Sequence, residues 1–169
     1  MSAPEFSRIV DLRQADGRNM AIEAEEAERE ALARRFGLVG IGRLVADVAL
    51  DRNGETVDAR GRFAADVIQS CAVSAEDFAV AIAGPVAFRF VPARPDHAPG
   101  VEIDLAAEDY DEIEYTGTVV DLGEAVAQSL ALAIDPFATG PAADAARRSA
   151  GLGEGREGPF AALAGLKKG

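Results

Sequence analysis

Residues 38–67 read LVGIGRLVADVALDRNGETVDARGRFAADV, and this stretch decides the fold. Apolar side chains alternate with polar ones on both sides of Asn53-Gly54. Alternation with a period of two is typical of a strand that buries one face, and Asn-Gly favours the positive φ angles of a tight turn. The stretch therefore predicts a long antiparallel hairpin with one apolar face and one polar face.

Three glycines of this hairpin, Gly40, Gly42 and Gly61, lie on the parity that is predicted to face inward. Side chains are normally needed there, and glycine instead permits strong curvature or close backbone packing. We therefore expect a strongly curved antiparallel sheet. Both an open sheet and a partly open barrel fit this pattern.

A helix is predicted near residues 24–36, just before the hairpin. Glutamates occupy its first turn, while Arg34 and Arg35 occupy its last turn and Gly37 follows. These charges oppose the peptide dipoles at each end of a helix, and glycine is the preferred residue at a left-handed C-terminal cap.

A second helix is predicted near residues 121–134. Asp121 stands at its N-cap with Glu124 three residues later, as in a capping box, and Asp135-Pro136 ends it. Leu122, Val126 and Leu130 recur at helical spacing, so this helix is expected to pack on the apolar face of the sheet.

Shorter alternating runs complete the predicted sheet. They cover residues 6–11 and 18–23 around a turn, residues 78–90 with an interruption at Gly84-Pro85, and residues 113–119. The chain is thus predicted to be an α+β protein. Residues 1–135 are expected to form a single domain, and residues 136–169 a flexible tail rich in Ala, Gly and Pro.

The formal net charge of −12 is concentrated in one block. Between Arg94 and Arg147 the chain has twelve acidic residues, spread over positions 96–144, and no Lys or Arg, while the remainder is formally neutral. Such a block is either a solvated loop or a surface for a basic protein partner. Both interpretations stay open at this point.

Catalytic and metal-binding constellations are missing from the sequence, so we expect no catalytic residue, no cofactor and no metal. His97 and Cys71 are single and distant in sequence, which makes a Cys-His nucleophile pair a remote alternative. An uncharacterised enzyme is the least favoured function. A cytoplasmic protein without a membrane segment is expected, because an export signal and a long apolar run are both lacking.

Direct RNA binding is another alternative, and its candidate residues are Arg43, Arg60 and Arg62 on the polar parity of the hairpin. Cross-strand pairing with Asp47, Asp58 and Asp66 is the competing interpretation, and we favour it. The overall negative charge also opposes phosphate binding.

The order of motifs along the chain resembles the YceD family, the large ribosomal RNA subunit accumulation proteins, in an alphaproteobacterial-like form. The residues that carry this resemblance are Gln69 and Cys71 after the hairpin, Asp121 and Leu122 at the second helix, and a C-terminal motif of Pro159, Phe160, Leu163, Leu166 and Lys167. Many members have Cys-x-x-Cys at the hairpin end, whereas here Ile68 replaces the first cysteine.

This resemblance implies a non-enzymatic factor that supports 23S ribosomal RNA accumulation and ribosome biogenesis through protein or RNA contacts. The implied partner is a ribosome assembly component or the large-subunit RNA itself. In the tail, Phe160, Leu163 and Leu166 with Lys167 and Lys168 form an amphipathic segment that is too short to be a stable helix alone. We expect this segment either to dock on a partner or to pack on the chain's own sheet.

Overall fold

A computed structural model of the chain describes residues 4–93 and 110–151. Residues 1–3, 94–109 and 152–169 lie outside this description. The described part contains seven strands and three helices, which are β1 (Ile9–Asp11), β2 (Arg18–Glu23), α1 (Glu26–Phe36), β3 (Gly40–Asn53), β4 (Thr56–Ser70), β5 (Asp77–Pro92), β6 (Asp111–Tyr115), β7 (Val119–Asp121), α2 (Leu122–Ala133) and α3 (Ala143–Ser149). The predicted α+β class and both predicted helices are confirmed.

The predicted hairpin forms from β3 and β4, which pair antiparallel from Asn53↔Thr56 at the turn to Gly40↔Ile68 at the far end. Gly54 adopts a φ of 64° in the turn, as the Asn-Gly pair indicated. The buried side chains follow the predicted alternation over most of both strands. They are Leu44, Ala46, Val48 and Leu50 on β3 and Val57, Ala59, Phe63, Ala65 and Val67 on β4.

The glycines that were predicted to face inward behave differently from one another. A register shift between Ile41 and Arg43 changes the parity of β3, so that Ile41 is buried and Gly42 is exposed. The prediction that Gly42 faces inward was therefore wrong. Gly61 does face inward, and a Cβ there would lie 1.9 Å from the backbone oxygen of Asp47. The close-packing role of glycine thus belongs to Gly61.

The main sheet has five strands in the order β2-β3-β4-β5-β6 and is not closed into a barrel. It is also a mixed sheet, because β6 runs parallel to β5, from Phe88↔Asp111 to Pro92↔Tyr115. This corrects the expectation of a wholly antiparallel sheet. The sequence pattern showed that residues 113–115 alternate, but alternation carries no information about strand direction.

Helices α1 and α2 cover one face of the sheet together with the N-terminal segment. Leu32 of α1 and Leu122, Val126 and Leu130 of α2 belong to the same buried cluster as the inward side chains of β3, β4 and β5. Helix α1 ends at Gly37, which adopts the predicted left-handed conformation with a φ of 67°. Within the described part of residues 1–134, no helix packs on the opposite, outward face of the sheet.

The first and last short strands pair with each other rather than with the main sheet. β1 and β7 form a two-stranded antiparallel sheet with Val10 opposite Val120. Asp121 follows directly and caps α2, accepting hydrogen bonds from the backbone N–H groups of Gly123 and Glu124. Its carboxylate also accepts bonds from the backbone N–H of Arg8 at 2.8 Å and the hydroxyl of Ser7 at 2.7 Å.

The chain divides into two units. The first consists of Met1–Ile68 and Ala79–Ile134, and the second of Gln69–Phe78 and Asp135–Gly169. In the second unit the turn after β4 bonds to the segment before α3, since the backbone N–H of Ala72 donates to the carbonyl of Ala138 at 3.1 Å. Helix α3 was not predicted from the sequence. The predicted tail motif, Pro159 to Lys168, lies outside the described residues.

Candidate functional site

The outward face of the five-stranded sheet carries charged side chains at regular spacing. Arg43 on β3 and Arg60 and Arg62 on β4 are all exposed there. In the strand register, Arg43 stands opposite Asp66 and Arg62 stands opposite Asp47. Cross-strand neighbours of opposite charge stabilise a sheet, which is the structural role that we favoured for these arginines.

The register brings these charges close without forming close ion pairs. Within residues 4–93 and 110–151, neither Arg43 nor Arg62 has a carboxylate oxygen within 4.0 Å. Weak, solvated cross-strand attraction therefore describes both arginines, and their guanidinium groups stay accessible on the sheet surface.

A denser cluster, which we call the Tyr110 cluster, consists of Asp58, Arg60, Arg89 and Tyr110. The guanidinium carbon of Arg60 lies 4.7 Å from the centre of the Tyr110 ring, and that of Arg89 lies 4.9 Å from it. Arg89 also donates two hydrogen bonds to the Asp58 carboxylate, at 2.7 and 3.1 Å. Two guanidinium groups thus contact one aromatic ring, and Asp58, Arg89 and Tyr110 are partly buried on the outward face.

A second feature of the first unit is a groove, which we call the β6–α2 groove. Its volume is about 250 Å³, and it is lined by β1, β5, β6, β7 and α2. The floor is apolar, with Phe90 and Val120 buried beneath it, while Ile9 and Val119 at the rim are 59% and 39% exposed. Sites for drug-sized ligands are usually larger, from about 300 to 1,000 Å³, so this groove suits individual side chains of a larger partner.

The charged lining of the β6–α2 groove is entirely acidic. It contains the carboxylates of Glu114, Asp121 and Glu124, and no Lys or Arg is among its described lining residues. Arg35 of α1 reaches Glu124 from outside the lining and donates to it at 2.8 and 3.0 Å. These hydrogen bonds are the main reason that the pKa of Glu124 is lowered, so this carboxylate stays ionised in mildly acidic solution.

A third feature is the turn that holds Cys71 in the second unit. Cys71 is 3% exposed, and its sulfur lies near three backbone N–H groups, those of Val73 at 3.4 Å, Ser74 at 3.3 Å and Gly140 at 3.3 Å. A hydrogen bond from the Ser74 hydroxyl, together with the bonds from the Ser74 and Gly140 N–H groups, lowers the pKa of Cys71 to about 6. The N–H groups thus hold the sulfur in place, and burial limits its access to reagents.

The residues that carry the family resemblance have structural positions wherever the structure describes them. Gln69 is buried and donates from Nε2 to the carbonyl of Asp135 at 3.0 Å. Cys71 occupies the turn described above, Asp121 caps α2, and Leu122 is fully buried. These residues have structural roles in the fold, and Asp121 also lines the β6–α2 groove. Pro159 lies outside the described residues.

Several other predicted site residues also fall outside the description. They are the tail residues Phe160, Leu163, Leu166, Lys167 and Lys168, so their roles stay predictions; His97, considered only in the remote Cys-His alternative, also lies outside the described residues. In the described part of the chain, no group of three or more His, Cys, Asp or Glu side chains is arranged to hold a metal ion. No helix of that part combines the length and the hydropathy that a bilayer crossing requires.

Sequence reasoning missed two residues of the Tyr110 cluster. Arg89 lies at an outward-facing position of β5. The alternation of apolar residues in that strand could have predicted that Arg89 faces outward. Tyr110 lies just before β6 inside the acidic block, and nothing in its local pattern indicated that it stacks on arginines from two other strands. Similarly, no local pattern pointed to the β6–α2 groove, because five elements build it.

Comparison of this chain with protein-family models, with curated proteins and with solved structures finds no match. The resemblance to the YceD family therefore stays a prediction from the sequence.

Proposed function

We propose that this protein is a non-enzymatic factor that supports the accumulation of large-subunit ribosomal RNA, and that it acts in the cytoplasm through contacts with a ribosome assembly component. One observation carries the proposal: the ordered set of sequence motifs resembles the YceD family, and of its described residues Gln69, Cys71 and Leu122 are buried while Asp121 caps α2.

Depletion of the protein in cells tests this proposal. We expect the ratio of mature 23S to 16S RNA to fall and free large subunits to decline in sucrose-gradient profiles. Re-expression of the chain from a plasmid is the control, and it should restore both measurements. Unchanged RNA ratios and unchanged subunit profiles after depletion would contradict the proposal.

A second candidate function is direct RNA binding on the outward face of the sheet. The Tyr110 cluster favours it, because an aromatic ring beside Arg60, with Arg62 on the same face, resembles the stacking and phosphate contacts that single-stranded RNA requires. The overall charge of −12 opposes it.

RNA binding is measured by fluorescence anisotropy with labelled 23S RNA fragments at low and moderate salt. The double variant Arg60→Ala/Arg62→Ala should weaken binding to RNA fragments of any sequence. It should also reduce the slope of log K against log salt by roughly 1 for each phosphate that the variant no longer neutralises. Arg34→Ala is the matched control, since Arg34 is exposed on α1, which packs against the other face. Absence of binding at low salt would remove this candidate.

A further inference from the structure

The β6–α2 groove combines an apolar floor with a rim on which negative charge is unbalanced. Its strands β6 and β7 and its helix α2 together contain the acids Asp111, Glu112, Glu114, Asp121 and Glu124 and no basic residue. The charges of the chain outside positions 96–144 sum to zero, so the block that supplies most of the groove's lining residues accounts for the whole net charge of the sequence. Part of the acidic block is therefore held on a folded surface beside apolar side chains.

The three carboxylates that line the groove differ in their hydrogen-bond and ion-pair partners. Asp121 is engaged by the N–H groups at the start of α2, and Glu124 is paired with Arg35. Glu114 is exposed on β6, and in the described part of the chain no basic group lies within 4.0 Å of it. Glu114 is therefore the carboxylate that is available to a cation from outside.

The apolar rim lines the same groove as this carboxylate. Ile9 and Val119 stand on the outward side of the β1–β7 sheet, where their neighbours Val10 and Val120 point into the core. Exposure of 59% for Ile9 places a large aliphatic side chain in water beside an apolar floor. Burying such a rim against a partner favours binding, because it removes apolar surface from water.

The strand at the groove also offers backbone groups. β6 is the terminal strand of the five-stranded sheet, and in the described residues it has a hydrogen-bonded neighbour on one side only, which is β5. An extended segment that runs along a terminal strand gains backbone hydrogen bonds, while alternate side chains contact the groove. A lysine or arginine next to an apolar residue in that segment would match Glu114 and the apolar rim.

We propose that the β6–α2 groove binds an extended basic segment of a protein partner, in which Lys or Arg alternates with aliphatic residues. The proposal rests on the proposed function, because it specifies the chemistry of the assembly component that the factor contacts. Charge complementarity selects the basic residues, and the apolar floor of the groove, whose volume is about 250 Å³, selects the aliphatic residues between them.

The test uses the full-length chain and a fluorescein-labelled peptide, about nine residues long, in which Lys alternates with Leu. Binding is followed by fluorescence anisotropy at about 50 and about 300 mM NaCl. Two further peptides replace Lys by Glu or Leu by Ser. We expect saturable binding of the Lys-Leu peptide that weakens with salt, at least about tenfold weaker binding of the Lys-Ser peptide, and no binding of the Glu-Leu peptide.

Two variants assign the binding to the groove. Glu114→Lys should weaken binding by about three- to tenfold, which corresponds to the loss of an exposed ion pair and its replacement by repulsion. Val119→Lys should weaken it by about tenfold, since it removes an apolar contact and adds a positive charge. Glu114→Gln and Val119→Thr make smaller changes at the same positions and should weaken binding by about two- to threefold.

The matched controls are Glu30→Lys and Val39→Lys. Glu30 is exposed on α1, and Val39, which is 53% exposed, precedes β3 and lies outside the groove lining. Both controls should keep the affinity within about twofold of the parent value, and all variants should retain the far-ultraviolet dichroism of the parent chain.

Equal losses in the groove variants and in their controls would overturn the proposal, because net charge alone would then explain the binding. A parent chain that is dimeric by sedimentation and becomes monomeric with Val119→Lys would also overturn it, because a second copy would then occupy the groove. If the peptide does not bind while depletion still lowers 23S RNA, this inference fails and the proposed function stands.

Discussion

The β3–β4 hairpin and the β1–β7 junction are built in opposite ways. The hairpin strands are joined by a tight turn at Gly54, and their register runs through thirteen pairs from the turn outward. β1 and β7 are separated by more than a hundred residues and share three pairs, with Asp121 bonding to Arg8 across a separation of 113 positions. The hairpin depends on a repeated pattern, whereas the junction depends on a few specific contacts.

This difference indicates how substitutions should act on each region. In the hairpin, most positions have the same role. Only a substitution that the two paired backbones cannot accommodate should therefore lower the free energy of unfolding strongly. At the junction, each contact is used once, so the loss of a single hydrogen-bonding group should be measurable. Urea unfolding monitored by circular dichroism measures the stability of variants in both regions.

Gly61→Ala should have the largest effect. The added Cβ would lie 1.9 Å from the backbone oxygen of Asp47 and 2.8 Å from the Cα of Val48, so the paired strands must separate locally. We expect a loss of about 4 kcal/mol in the free energy of unfolding. Gly42→Ala is the control in the same hairpin, because its Cβ would meet the oxygen of Asp66 at 3.7 Å, an ordinary contact. A loss below about 1 kcal/mol for Gly61→Ala would show that the paired strands can move apart enough to accommodate the added Cβ.

Gly123→Ala should have the second largest effect and is the corresponding test of the junction. The new Cβ would lie 2.8 Å from the backbone nitrogen of Arg8 and 2.8 Å from the carbonyl oxygen of Phe6. Alanine favours a helix by about 1 kcal/mol over glycine, but overpacking against backbone should exceed this gain and leave a net loss of about 2 kcal/mol. Leu132→Ala, at a position of α2 that is 79% exposed, is the neutral control. Net stabilisation by Gly123→Ala would mean that the N-terminal segment moves freely away from α2.

Asp121→Ala should cost about 1–2 kcal/mol, since it removes the acceptor of four hydrogen bonds at the junction, from Ser7, Arg8, Gly123 and Glu124. Asp121→Asn is the matched comparison, because its side-chain oxygen can still accept the three backbone N–H bonds that reach Oδ1. We expect the Asn variant to retain more than half of the stability that the Ala variant loses. Equal losses in the two variants would assign the effect to charge rather than to capping.

The smallest predicted effect is the contribution of one ion pair to stability and its loss at acid pH. Glu28 of α1 accepts hydrogen bonds from Arg8 at 2.6 and 2.8 Å, and these bonds, more than any other contact, lower the pKa of Glu28. The Glu28 carboxylate is therefore protonated less readily in the folded chain than in the unfolded chain. The ion pair with Arg8 contributes its full stability above the unfolded pKa near 4.5, and this contribution is lost as the pH falls through the lower folded pKa.

We therefore expect Glu28→Gln to lower stability by about 0.5–1 kcal/mol at about pH 7, a modest loss since a partly exposed ion pair is screened by solvent, and to have a smaller effect at about pH 3. The measurement is urea unfolding at several values between about pH 3 and about pH 7, with Glu26→Gln in the same helical turn as control. The same loss at both ends of this range would show that the pair contributes through packing and not through charge.

The candidate site was predicted only in part, and the reason can be seen in single residues. The outward exposure of Arg43, Arg60 and Arg62 followed from strand parity, which is a local property. Tyr110 stacks on Arg60 and Arg89 because β4, β5 and the segment before β6 meet in space. The β6–α2 groove likewise requires β1 beside β7, a pairing for which the sequence held no signal in either strand.

By itself the sequence determined the hairpin, the two main helices with their caps, the inward faces of most strands and the position of the charge block. Each of these depends on spacing or on neighbours within a few residues, where backbone geometry and solvation act locally. Only the tertiary structure decided the bulge that buries Ile41, the parallel direction of β6 and the bonds from the N-terminal segment to Asp121. These features depend on which distant surfaces bury each other, and that choice is made by the whole core rather than by any single stretch of chain.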